Sequence, residues 1–135
     1  MTELDLQSWI KKCEGLQFHP YMDTTRHVTI GWGRNLDNGI SLDEAELMFK
    51  NDYDRSVEEL EQCDWYNDLP EKVKFALINM NFNLGIKKLS TFKRMIEALR
   101  EKNYTRASME ALDSEWAHQV HRRAVDIAVM IKEGK

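Results

Sequence analysis

The chain opens on a helical period. Leu6, Trp9, Ile10 and Cys13 recur at i, i+3, i+4 and i+7, one face of a short amphipathic helix. Gly15 follows as its cap, because glycine takes a positive φ without strain. From Phe18 the period falls to two. Val28, Ile30 and Trp32 alternate with His27, Thr29 and Gly31, the pattern of a strand. Asp23-Thr24-Thr25-Arg26 supplies a turn before it, and Asn38-Gly39 is a second turn signal. A sheet this small is stable only against helices.

The helical period then returns. Ser41-Leu42-Asp43-Glu44 matches a capping box, and a long helix with Ala45, Phe49, Tyr53, Val57 and Leu60 on one face is predicted to follow. About 20 residues at 1.5 Å each reach roughly 30 Å, enough to link two lobes. Pro70 opens the next helix, where its missing N–H costs nothing. Apolar residues from Val73 to Leu84 surround that helix on most sides, which predicts a buried central helix ended by Gly85. Three shorter helices are predicted near 91–101, 104–113 and 121–133. The fold class is α+β, mainly α.

At 135 residues the chain fits one domain with a real core. No apolar run approaches the roughly 20 residues that span a bilayer, so no stable membrane insertion is expected. The first twelve residues, MTELDLQSWIKK, begin acidic and lack a long apolar stretch, so no secretory signal is expected there. Synthesis in the cytoplasm is expected, with a separate pore-forming partner or carriage in a virion bringing the protein to the outside. Two cysteines, Cys13 and Cys63, make no disulfide framework and are expected as reduced thiols. The four histidines are scattered, without zinc-site spacing. No metal or other cofactor is expected. Net charge is −4, unevenly spread: residues 1–85 carry 8 basic and 16 acidic side chains, and residues 86–135 carry 11 and 7. An anionic polymer would prefer the second part, although a solvated acidic helix over 43–61 explains the asymmetry by itself. No nucleic-acid partner is expected, and the chain is expected to be a monomer.

The candidate chemistry lies between Cys13 and Gly33. Glu14 closes the first helix, where the negative end of the helix dipole disfavours a carboxylate. That suits a general acid. Asp23 lies in the turn and Thr29 in the strand. Two carboxyl groups facing each other across a bond are the usual equipment of glycoside hydrolysis. Each residue also has a plainer reading: an exposed helix-end glutamate, an aspartate bonding its own turn, and a β-branched strand former.

Glu14-Gly15, Tyr21-Met22-Asp23-Thr24 and Thr29-Ile30-Gly31-Trp32-Gly33 together resemble the catalytic segment of the phage-type lysozymes, the family of the T-even phage endolysin. The resemblance extends along nearly the whole chain, through Asp43-Glu44-Ala45-Glu46, Asn51-Asp52, Ile78-Asn79-Met80, Phe82, Gly85, Trp116 and Arg123. It implies a two-lobe lysozyme-like domain over 1–135, in compact form. A small antiparallel sheet lobe would cover about 16–40 and a linking helix about 42–62. A helical lobe would cover about 68–135, with the N-terminal helix added. It implies a muramidase cutting the β-1,4 bond between N-acetylmuramic acid and N-acetylglucosamine in peptidoglycan, with inversion, acting on the wall after release. Glu14 is then the acid, Asp23 the base or transition-state stabiliser, and Thr29 the holder of the attacking water. Arg123 orients the acid, and Asn35, Phe82 and Asn83 contact substrate. Core packing is the stronger reading of Trp116. The segment between Gly33 and Ser41 is shorter than in the T-even type. Met95 and Glu110 replace small polar sugar contacts. Two alternatives stand beside the muramidase. A lytic transglycosylase would not need Asp23 and Thr29. A non-catalytic wall-binding or scaffold module would keep the fold without turnover.

Overall fold

A computed structural model describes residues 1–134. The first helix, α1 (Glu3–Glu14), starts at a capping box in which Thr2 accepts from the Asp5 N–H and the Asp5 carboxylate accepts from the Thr2 N–H. Gly15 ends it at φ 72°, as its sequence position requires. Three strands follow: β1 (Gln17–Met22), β2 (Val28–Gly31) and β3 (Arg34–Asn35). They form one antiparallel sheet in the order β1-β2-β3. β1 pairs Tyr21 with Thr29 and Met22 with Val28, but the register slips between Gln17 and Tyr21. Pro20 lies in that slip, and a proline has no N–H to give a ladder. A 3-10 turn (Leu36–Asn38) closes on Gly39, at the expected Asn38-Gly39 signal.

The capping box at Ser41 is formed. The Glu44 N–H donates to Ser41 Oγ at 3.2 Å and the Ser41 N–H donates to Glu44 Oε1 at 2.9 Å. It starts α2 (Leu42–Glu61), close to the expected span. Next come α3 (Glu71–Leu84), α4 (Ile86–Leu89), α5 (Lys93–Arg100), α6 (Tyr104–Leu112), α7 (Glu115–Val120) and α8 (Arg122–Lys132). Pro70 and Gly85 bracket α3. Five helices follow α3 where three are predicted. The additional two are short. α4 is a single turn after Gly85, and α7 is nucleated by Ser114, whose Oγ accepts the Ala117 N–H at 3.2 Å. His121, at φ 48°, separates α7 from α8.

The described residues form two units, Met1–Leu47 and Met48–Lys135, and the division falls inside α2. The first holds α1 and the sheet. Thr29 is its single buried residue among those described, and Trp9 of α1 stays 57% exposed. The second unit holds the core, built on Leu60, Leu77, Met80, Leu99 and Ile131, all fully or almost fully buried. There α8 packs on α3 and α6, and α5 packs on α6. Central α3 is not buried all round, because Phe75 stays 52% exposed. No helix of the described residues is long and apolar enough to cross a membrane.

Candidate active site

In the first unit the end of α1 is laid against the Gly31–Gly33 segment. Lys11 Nζ sits 4.3 Å from the centre of the Trp32 ring, a cation–π contact. One turn further along the helix, the Glu14 carboxyl occupies the space over Gly33. A Cβ at 33 would fall on Glu14 Oε2, and the backbone there has φ 77°. Glycine is therefore needed at 33 for both the conformation and the space. No ion pair or side-chain hydrogen bond engages the Glu14 carboxyl among the described residues.

Asp23 is held by its turn. Its Oδ1 accepts three hydrogen bonds: from the His27 N–H at 2.8 Å, the Thr25 N–H at 2.9 Å and the Thr25 hydroxyl at 2.9 Å. Its own N–H donates to the His27 carbonyl at 2.9 Å. The His27 N–H, opposed by partial burial and helped by Thr25, holds the carboxyl below the usual aspartate range, since donors favour the charged form. The second oxygen, Oδ2, has no hydrogen bond among the described residues; His27 Nδ1 lies 3.7 Å from it. The turn-forming role and a chemical role thus fall on different oxygens of one carboxylate.

Thr29 is 3% exposed. Its hydroxyl donates to the His27 carbonyl at 2.9 Å, which leaves the oxygen free to accept. Residue 27 therefore joins Asp23 and Thr29 through its backbone. Asn35 is Thr29's partner across β2 and β3, and its Oδ1 caps the 3-10 turn by accepting from the Asp37 N–H at 2.9 Å. The structure brings Asp23, Thr29 and Asn35 together on adjoining strands and their turn.

The remaining candidates lie in the second unit and serve two different places. Phe82, 38% exposed, packs against Phe49 with ring centres 5.4 Å apart and planes tilted by 48°. With Tyr53, Phe75, Ile78, Asn79 and Arg123 these rings line a cavity of about 500 Å³. Arg123 is fixed there by Asn79, Nε donating to Oδ1 at 2.9 Å and Nη2 to the carbonyl at 3.3 Å. Asn83 turns away from that cavity and accepts from Trp116 Nε1 at 2.8 Å. Trp116 is 4% exposed, edge-on to Phe92, and so belongs to the core. Met95 is buried too, at the back of a second cavity of about 540 Å³ that Glu110 also lines. No group of three or more His, Cys, Asp or Glu side chains among the described residues could hold a metal.

Sequence reasoning missed Thr25 and His27. Their signal was an aspartate followed at two and four residues by donors, the spacing of a side-chain-closed turn.

A helix ending in glutamate, a three-stranded antiparallel sheet and a helical unit define an α+β lysozyme-like fold. A family model described as phage lysozyme matches residues 11–127, and the chain belongs to that family. Two relatives from Dictyostelium discoideum, "Probable T4-type lysozyme 1" and "Probable T4-type lysozyme 2", are each 29% identical to it over 99 residues. Those matches cover 70% of this chain and 58% of each relative, so the chain spans less than two thirds of the length of these curated relatives.

Proposed function

We propose that the chain is a muramidase, hydrolysing the β-1,4 bond between N-acetylmuramic acid and N-acetylglucosamine in peptidoglycan strands with inversion at the anomeric carbon. The observation that carries this reading is the divided Asp23 carboxylate, with Oδ1 saturated by the turn and Oδ2 unbonded. Glu14 protonates the leaving oxygen. A water donates to Asp23 Oδ2 and to Thr29 Oγ1, whose own proton is spent on the His27 carbonyl. That water turns a lone pair to the far face of the sugar, and Asp23 takes its proton. Direct attack by Asp23 would leave the acceptor side of the Thr29 hydroxyl unused. Asn35 keeps its amide N–H groups for an N-acetyl carbonyl, because its Oδ1 is occupied by the cap. Phe82 offers an apolar face to a sugar ring. Asn83 keeps only its amide N–H groups for substrate, since its Oδ1 accepts from Trp116 Nε1, and the family resemblance assigns Arg123 the orientation of the acid.

Turbidity loss of permeabilised cells, parent against Glu14→Gln, tests the reading. The amide cannot donate the proton, so activity should fall on the order of a thousandfold with the fold intact. Retention to within about tenfold would remove Glu14 from the mechanism. Wall binding by the parent without turbidity loss would establish the non-catalytic module instead. NMR of the first products should show the α-anomer, as inversion demands; an initial β-anomer would overturn the roles of Asp23 and Thr29. Inversion requires the carboxyls to stand about 6.5–9.5 Å apart with water between them, against about 5–5.5 Å for direct attack.

A further inference from the structure

We infer that His27 is a positioning residue for Asp23, acting through Thr25 by a proton held on its Nδ1. The inference rests on Asp23 being the base of the proposed reaction.

The argument begins at Thr25. Its hydroxyl oxygen is 2.9 Å from Asp23 Oδ1 and 2.7 Å from His27 Nδ1. An ionised carboxylate can only accept, and a hydroxyl has one proton. The Thr25 proton therefore goes to Asp23. The 2.7 Å contact is then a hydrogen bond only if Nδ1 donates it. The result is a directed chain: His27 Nδ1–H to Thr25 Oγ1, and Thr25 Oγ1–H to Asp23 Oδ1.

The chain decides which face of the carboxylate is available. His27 Nδ1 stands 3.7 Å from Asp23 Oδ2, beyond hydrogen-bond reach. While Thr25 holds the imidazole donor, Oδ2 stays free for the attacking water.

The backbone of residue 27 does separate work. Its N–H and carbonyl engage Asp23 and Thr29 whatever the side chain. The turn therefore survives loss of the imidazole. Arg26 completes it at φ 65°, its N–H donating to the Asp23 carbonyl at 3.1 Å. A side chain seldom accepts that conformation unless its surroundings impose it.

The first test reads the tautomer. A long-range proton–nitrogen NMR spectrum of the parent should place the neutral His27 proton on Nδ1, and Thr25→Val should return it to Nε2. A parent proton on Nε2 overturns the inference. The second test is kinetic. His27→Ala should lower kcat about tenfold, the upper end of the loss expected for one neutral hydrogen bond, with KM changed by less than about twofold. His27→Asn should restore most of the rate, since its amide N–H can reach Thr25. Parent-like turnover in His27→Ala, or equal losses in the alanine and asparagine variants, overturns the positioning role. If the parent itself has no turnover, the proposed function falls and takes the positioning role with it. The spectrum decides the hydrogen-bonded chain in that case.

Discussion

At the scale of single residues, the site depends on what is absent as much as on what is present. Gly33 lacks the Cβ that would occupy the place of the Glu14 carboxyl, and its φ of 77° penalises any side chain. Gly33→Ala therefore carries two costs. Left-handed backbone strain should remove about 1–2 kcal/mol of stability, measurable as a lowered midpoint in urea. Displacement of the carboxyl should cost on the order of a hundredfold in rate even where the protein is fully folded. Equal activity in parent and variant at low temperature would show that Glu14 is not placed by Gly33. The same logic separates Asp23 from an ordinary turn aspartate. Its turn needs one oxygen, and a carboxylate has two. Cys13 is exposed and Cys63 half-buried, and burial pushes the Cys63 thiol up.

At the scale of elements, the start of α2 shows how local chemistry sets a boundary. Glu44 closes the capping box with Ser41 and also pairs with Arg34 at the end of the sheet. The Arg34 guanidinium and the Ser41 donors hold its carboxyl down to about 2, against 4.5 ordinarily. A depressed carboxylate contributes stability above its unfolded value and loses it as pH falls through the folded one. Thermal melts of the parent and Glu44→Gln should thus differ at pH 6, converge between pH 4.5 and 2, and coincide at the acid end of that window. A constant difference across the range would mean that packing, not charge, holds the joint. Both partners are about half exposed, so the difference at pH 6 should shrink in high salt.

At the scale of the whole molecule, burial is divided unequally. The large buried side chains lie in Met48–Lys135, while Met1–Leu47 holds its four candidate groups, Glu14, Asp23, Thr29 and Asn35, on one helix end, one turn and two short strands. Opening free energy follows buried contact, so hydrogen exchange should be uneven. Amides of β1, β2 and α1 should exchange orders of magnitude faster than those of α3, α5 and α8. Equal protection throughout would mean that one cooperative unit carries the site and the core together.

The sequence by itself determined the elements wherever a local signal was complete. Gly15, Pro70 and Gly85 bounded helices because φ and a missing donor act on their own residue. Ser41 and Glu44 began α2 because a capping box closes within four residues. The candidate chemistry at Glu14, Asp23 and Thr29 came instead from the resemblance of that segment to the family, since spacing alone leaves each residue its plainer reading. The sequence left open whatever depends on neighbours distant in the chain. Alternation in β2 offers Val28, Ile30 and Trp32 as the inner face, yet Thr29 is the buried residue and Trp32 is 47% exposed. In a sheet this small, pairing to Tyr21 and Asn35 outweighs apolar content. The short helices α4 and α7 escaped because single turns have too little periodicity to register. The tertiary structure alone decided that Asn83 engages Trp116 across 33 residues, that Arg123 is tied to Asn79, and which oxygen of Asp23 its turn leaves free. Each of these outcomes is a competition for hydrogen-bond partners, and a donor finds its acceptor only after the chain has folded.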